Sequence, residues 1–214
     1  YLIQNCIFGV DIQPVAVQIA KLRFFISLVV DQKTDEKKEN LGILPLPNLE
    51  TRFIAANTLI GIEESGQMGL KDNTLSDLED KLRRVRERYF SAQSRDTKKR
   101  CMREDARLRK EIGKQLGKNG FSTETTEKLA RWDLYDQNTS GDFFDPEWMF
   151  GIRGGFDIVI GNPPYVQIQK FNAPQKMQWE KQQYQVYDRT GDIYCLFYEK
   201  GYQLLAPSGL LCFI

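Results

Sequence analysis

Asn162-Pro163-Pro164-Tyr165 is the stretch whose residue types and order could do chemistry. An asparagine side chain offers an amide oxygen, and the carbonyl of Pro163 stands where prolines have removed competing N–H donors. Two acceptors held close together suit one amino group with two hydrogens. The ring of Tyr165 adds a flat face on which a planar base can stack, an interaction of about 1–3 kcal/mol per base. Together the four residues describe a pocket for an exocyclic amine on a ring taken out of its helix. The bland alternative is a Pro-Pro turn after a strand.

Such a pocket needs a rigid support, and Phe156-Asp157-Ile158-Val159-Ile160-Gly161 supplies one. The run is short, β-branched and closed by glycine, which reads as a buried parallel strand delivering the motif at its carboxyl end. Two prolines cannot continue a hydrogen-bonded ladder, so the backbone beyond Asn162 is stiff and extended. Earlier in the chain Cys6-Ile7-Phe8-Gly9-Val10 reads as another strand, with Asp11 at its carboxyl end. A helix follows, with Pro14 in its first turn and Val15, Ile19, Leu22, Ile26 and Val29 at helical spacing. Strand, acid and helix form half of a doubly wound nucleotide-binding unit, in which such an acid commonly binds ribose hydroxyls. A helix cap is the competing reading of Asp11. Residues 41–48, with Pro45 and Pro47, read as an extended approach to a third strand, Arg52-Phe53-Ile54-Ala55-Ala56, which ends at Asn57-Thr58. Asn57 is either an acceptor or a turn-former.

Between the two core segments the composition changes. Leu75, Leu78, Leu82, Val85 and Tyr89 trace one helical face, with Thr74 as its cap, and Met102, Leu108, Ile112 and Leu116 trace a second, closed near Gly117 and Gly120. Two antiparallel helices are expected. They carry Arg83, Arg84, Arg86, Arg88, Lys98, Lys99, Arg100, Arg103, Arg107, Arg109 and Lys110. Taken singly each is a solvated surface charge; collectively they fit a phosphate-contacting arm. Ser122 opens a further short helix. Asp145-Pro146-Glu147-Trp148-Met149-Phe150 gives a cap, a proline at the first helical position and an aromatic cluster. After the motif comes a glutamine-rich helix, and then Tyr184 to Asp188, read as a lid or DNA-facing loop. Asp192 and Tyr194 begin a helix whose apolar face runs through Phe197, Leu204 and Leu205; cap and core are the plain readings of both. Residues 206–209 form a turn into a last strand at 210–214.

Asn-Pro-Pro-Tyr after a strand resembles the catalytic motif of S-adenosylmethionine-dependent amino methyltransferases, above all the adenine-specific (N6) DNA methyltransferases. The passage from Trp132-Asp133 to Trp148-Met149-Phe150-Gly151 resembles the fused restriction-modification enzymes called type IIG and the related phage-exclusion methyltransferases. The resemblance implies an α/β chain: a partial Rossmann-like methyltransferase sheet with an inserted basic helical hairpin. Residues 1–62 and 151–214 would be the two parts of the core and 63–150 a mainly helical insertion. It implies that Asn162, Pro163, Pro164 and Tyr165 are catalytic and that Asp11, Ile12, Asn57 and Thr58 bind S-adenosylmethionine. Where the family usually carries aspartate, this chain has Asn57. Tyr165, Asp192 and Tyr194 would line the base pocket. The partner implied is double-stranded DNA with a flipped adenine. Asn162 and the Pro163 carbonyl would favour a tetrahedral nitrogen as the methyl bond forms, with no metal and no covalent enzyme intermediate.

The totals narrow the field further. With no histidine, and with Cys6, Cys101, Cys195 and Cys212 at unpaired spacings, zinc sites and histidine acid–base catalysis are poor hypotheses. The apolar content of 41% and charged content of 28% suit a globular protein, and no apolar run approaches the roughly 20 residues of a membrane span, so the cytoplasm is the expected compartment. Methylation of RNA or of a protein glutamine, and a non-catalytic DNA-binding or assembly module, are the alternatives. The chain stops inside a strand and lacks the family's glycine-rich cofactor loop before Cys6. It is therefore expected to be a fragment of the catalytic domain, inactive alone and binding cofactor weakly or not at all.

Overall fold

A computed structural model describes residues 2–62 and 73–214 of the chain. The start of the expected insertion, residues 63–72, lies outside the described residues. The fold divides into two compact units, Tyr1–Ala56 with Glu63–Gly141 and Asn57–Ile62 with Asp142–Ile214. This division differs from the three-part reading of the sequence. The helical segment shares a unit with the first strands, while residues 57–62 belong with the motif.

In the first unit a short helix α1 (Leu2–Asn5) precedes strand β1 (Gly9–Asp11), helix α2 (Pro14–Val30) and strand β2 (Phe53–Ala55). β1 and β2 pair in parallel, Gly9 opposite Phe53 and Asp11 opposite Ala55, so β1–α2–β2 is one crossover unit. The strand expected from Cys6 starts later, at Gly9, because the Cys6 N–H closes α1 on the Leu2 carbonyl at 2.8 Å. The apolar row Val15, Ile19, Leu22, Ile26 and Val29 is exposed. α2 instead buries Val17 and packs Phe24 and Phe25 toward Leu49, Phe53 and Phe90. Apolar residues surround this helix, so spacing alone did not decide which side faces inward.

Helices α3 (Asn73–Phe90), α4 (Arg95–Lys118) and α5 (Thr123–Arg131) complete the unit. Leu78, Leu82, Val85 and Tyr89 from α3 and Leu108, Ile112 and Leu116 from α4 are buried as their spacing required. Two details differ. α3 already includes Asn73, so Thr74 lies inside the helix and is not its cap. Met102 is exposed, and Cys101 and Asp105 occupy the inner face in its place. Ser94 and Ser122 cap α4 and α5, each accepting from the N–H three residues on at 3.1 Å. Asp105 is fully buried between Arg86 at 2.9 Å and Arg109 at 2.7 Å. Arg109 reaches on to the Ala130 and Trp132 carbonyls, fastening the hairpin to the end of α5.

The second unit holds α6 (Pro146–Phe150), β3 (Phe156–Gly161), α7 (Ala173–Lys181), α8 (Ile193–Gln203) and β4 (Leu205–Phe213). β3 and β4 are parallel, with Ile158 opposite Leu210 and Gly161 opposite Phe213. The expected turn at residues 206–209 is absorbed as an irregularity within β4, marked by Ser208 at φ 68°, and Leu205 pairs with Phe156 instead of ending the α8 face. α8 lies close on one face of this sheet: a Cβ at Gly201 would stand 2.7 Å from Leu211 Cδ1 and 2.9 Å from Phe213 Cζ. Ile158, Ile160 and Leu210 point the other way and are exposed, so β3 is not the buried strand that its apolar run predicted: among the described residues nothing covers this face. Where one sheet was expected, the described residues thus form two separate two-stranded parallel sheets, with the hairpin between the second and third strands of the chain. Neither β1 nor β3 has a second strand neighbour among the described residues.

Candidate active site

The motif leaves β3 where expected. Pro163 is buried and anchors the turn, while Asn162, Pro164 and Tyr165 are exposed. Neither the Asn162 side chain nor the Pro163 carbonyl makes a hydrogen bond among the described residues. The chain then ties itself to the start of α8: the Ile193 N–H donates to the Val166 carbonyl at 2.9 Å and the Ile168 N–H to the Gly191 carbonyl at 2.9 Å. This brings Tyr165 over Tyr194, with ring centroids 4.9 Å apart and an interplanar angle of 15°. Tyr198 and Phe213 continue the aromatic cluster behind Tyr194. One face of Tyr165 is therefore supported, while the side chain as a whole remains 70% exposed. Asp192 accepts from the Tyr194 N–H at 2.9 Å and caps α8, the plainer of its two readings.

Asn57 and Thr58 share the second unit with the motif; Asp11 and Ile12 lie in the first. Asp11 is the exposed last residue of β1, and one carboxylate oxygen accepts from the Gln13 N–H at 2.7 Å. Gln13, not Asp11, occupies the cap position of α2. The second oxygen of Asp11 has no partner among the described residues. Asn57 accepts from the Leu59 N–H at 3.2 Å, a local turn of the kind asparagine favours, and its side-chain N–H groups make no hydrogen bond among the described residues. A carboxylate with an uncommitted oxygen fits a vicinal diol, and a half-committed amide fits the edge of a purine. Taken one at a time, each residue has the hydrogen-bonding capacity for the part of an adenosine-bearing cofactor expected of it.

The backbone after Asn57 is held by residues the sequence did not single out for that task. The Tyr184 hydroxyl donates to the Leu59 carbonyl at 2.8 Å, the Phe144 N–H to the Ile60 carbonyl at 2.7 Å, and the Gly61 N–H to Gln182 Oε1 at 2.7 Å. Tyr184 is buried, not a solvent-facing lid residue, and burial raises its hydroxyl pKa. Gly61 allows a close approach: a Cβ there would stand 3.2 Å from Gln182 Oε1, which would have to give way by a few tenths of an ångström. Burial lowers the Lys200 pKa against the pull of Asp145, and burial raises that of Asp145. Pairings between residues 121 and 125 positions apart leave no local signal in the sequence.

The basic hairpin resolves into two populations. Arg86 and Arg109 are buried on Asp105, Arg83 pairs with Asp80, and Arg107 pairs with Glu104 and Glu111. Lys99, Arg103, Lys110 and Lys114 are exposed, recur every four or seven residues along one side of α4, and form no ion pair among the described residues. Among the described residues no group of three or more histidine, cysteine, aspartate or glutamate side chains could hold a metal ion, and no helix is long and apolar enough to cross a membrane.

Residues 5–214 match the model of a family described as the Eco57I restriction-modification methylase. Among characterised relatives, the chain is 35% identical over 100 residues to the type II methyltransferase M.PaeR7I of Pseudomonas aeruginosa, an alignment covering 46% of this chain and 16% of that protein. It is 42% identical over 59 residues to the type II methyltransferase M.XhoI of Xanthomonas vasicola, covering 28% and 11%. It is 32% identical over 83 residues to the type II restriction enzyme and methyltransferase RM.Eco57I of Escherichia coli, covering 35% and 8%. The chain thus matches about a sixth or less of the length of each of these relatives. No solved structure matches.

Proposed function

Because the chain belongs to the Eco57I restriction-modification methylase family, we propose that it forms part of the catalytic core of a DNA methyltransferase that modifies the exocyclic amino nitrogen of an adenine flipped out of duplex DNA. The observation that carries this reading is the pair of uncommitted acceptors, the Asn162 side chain and the Pro163 carbonyl, beside an aromatic ring with one supported face. Asn162 and Pro163 accept the two amine hydrogens, which draws the nitrogen toward the tetrahedral form it needs as a nucleophile. Tyr165 receives the base on the ring face away from Tyr194. Bound S-adenosylmethionine supplies an activated methyl group. Asp11, with Ile12 beside it, would hold its ribose, and Asn57 with Thr58 its adenine, on a Rossmann-like core made of residues 1–62 and 151–214. The cationic side of α4 favours DNA as the polymer bound.

The test is nucleoside mass spectrometry of duplex DNA treated with the full-length protein and methyl donor. N6-methyladenine is the expected product, and Asn162→Ala should reduce its formation at least about 100-fold while leaving duplex binding in place. Methylated cytosine, or full activity in Asn162→Ala, would overturn the reading.

A further inference from the structure

The segment between the motif and α8 is bonded at both ends, to two different parts of the proposed site. At one end Gln182 and Tyr184 hold the Gly61 amide and the Leu59 carbonyl, immediately after Asn57. At the other, the N–H groups of Gln185 and Val186 donate to the two carboxylate oxygens of Glu199 on α8, at 3.1 and 3.0 Å. α8 is the helix whose Tyr194 supports Tyr165. Gln183 between them takes φ 55°, a left-handed conformation that an ordinary side chain adopts only when its surroundings fix it. A five-residue run thus joins the helix behind the base-stacking ring to the backbone that carries Asn57.

The geometry points to Gln182 and Tyr184 as positioning residues that set the Asn57 turn for the cofactor and couple cofactor binding to capture of the target base. This rests on the reading of Asn57 as a cofactor residue. Neither side chain touches the reacting atoms. Gln182 acts through the Gly61 amide and Tyr184 through the Leu59 carbonyl, while Glu199 carries displacement between the loop and α8. Coupling of this kind is reciprocal: if duplex DNA tightens cofactor binding through the link, cofactor tightens DNA binding by the same factor.

The experiment uses the full-length protein and three variants. Tyr184→Phe removes only the hydroxyl. Gln182→Leu removes the acceptor for the Gly61 N–H, and Gln182→Glu keeps an oxygen there. For Tyr184→Phe and Gln182→Leu, a rise of about five- to tenfold in KM for S-adenosylmethionine is expected with kcat within about threefold of wild type, together with a smaller tightening of cofactor binding by duplex DNA in calorimetry. Gln182→Glu should restore both. A purely structural role would lower the melting temperature without splitting KM from kcat or responding to the glutamate. Wild-type KM and wild-type coupling in folded Tyr184→Phe and Gln182→Leu would overturn the proposal. Should Tyr184→Phe fail to fold, the Gln182 pair decides alone. Asn57→Ala separates the two levels: if it weakens cofactor binding while the Gln182 and Tyr184 variants do not, the link falls and the cofactor reading stands; if it leaves cofactor binding unchanged, the premise itself is lost.

Discussion

The ring of Tyr165 lies stacked on that of Tyr194, 4.9 Å between centroids and 15° from parallel, although 29 positions separate them in the chain. The exposed ring of the motif is thus held by a residue of α8. Replacing Tyr194 by alanine should let Tyr165 rotate and weaken capture of the target base by about two- to tenfold, the range expected for losing one aromatic pair. Phenylalanine at that position should preserve it. Fluorescence of 2-aminopurine placed at the target position reports the extruded base directly; an unchanged signal in Tyr194→Ala would count against the supporting role.

The exposed cations of α4 predict a graded response to salt. Each of Lys99, Arg103, Lys110 and Lys114 that neutralises a phosphate contributes about 0.9 to the slope of log affinity against log salt. Changing all four to glutamine should flatten that slope markedly, whereas Arg107→Gln, which breaks pairs with Glu104 and Glu111, should change it little. Equal slopes for the fourfold variant and wild type would remove α4 from the DNA-binding surface.

Asp105 is the shared carboxylate of two buried guanidinium groups, and removing it leaves Arg109 with the longer pair to Asp133 at 3.3 Å. Asp105→Ala should lower stability by about 3–5 kcal/mol, measured by urea unfolding. The triple change Asp105→Leu, Arg86→Met and Arg109→Met should lose far less, because it strands no charge. A triple variant as unstable as the single one would show that the hydrogen bonds to the Ala130 and Trp132 carbonyls matter more than the ion pairs.

Lys200 gives a pH dependence whose sign is fixed by the partial burial that lowers its pKa. Its folded pKa lies below the ordinary 10.5, so in the window between the two the unfolded chain holds the proton more tightly. Its contribution to stability is complete above 10.5 and is lost as pH falls through the folded value. The stability of wild type relative to Lys200→Met should therefore rise as pH approaches 10.5 from below. Denaturant midpoints for the two proteins across that window check it, and a flat or falling difference would contradict the burial of the ammonium group.

The parts of the fold legible in the sequence are those whose physics is local. The β-branched run ending in Gly161, the serine cap at Ser122 and the Asp145-Pro146 start of α6 all appear where spacing and side-chain chemistry placed them, whereas the Ser94 cap of α4 emerges only from the structure. What the sequence could not supply is non-local. α2 is apolar on more than one side, and Phe24 turns toward the cluster of Leu49, Phe53 and Phe90, which distant segments supply, while Ile19 stays exposed. Arg86 and Arg109 read like their basic neighbours until Asp105 is seen between them. The site divides in the same way: Asn162 to Tyr165 is a local pattern, whereas the support of Tyr165 by Tyr194 and of the Asn57 turn by Gln182 and Tyr184 exists only once distant segments meet.

The hydrogen bond from Tyr184 to Leu59 spans 125 positions, and this has a consequence for how the protein is made. On a ribosome adding about 5–20 residues per second, Leu59 is synthesised roughly 6–25 s before Tyr184. In that interval the α3–α4 hairpin, whose contacts are mainly local, has time to fold completely, whereas residues 57–62 must wait without the partners that will bury Leu59 and Ile60. Slowing translation after residue 141 would prolong this wait, and with it the time during which chaperones can engage residues 57–62.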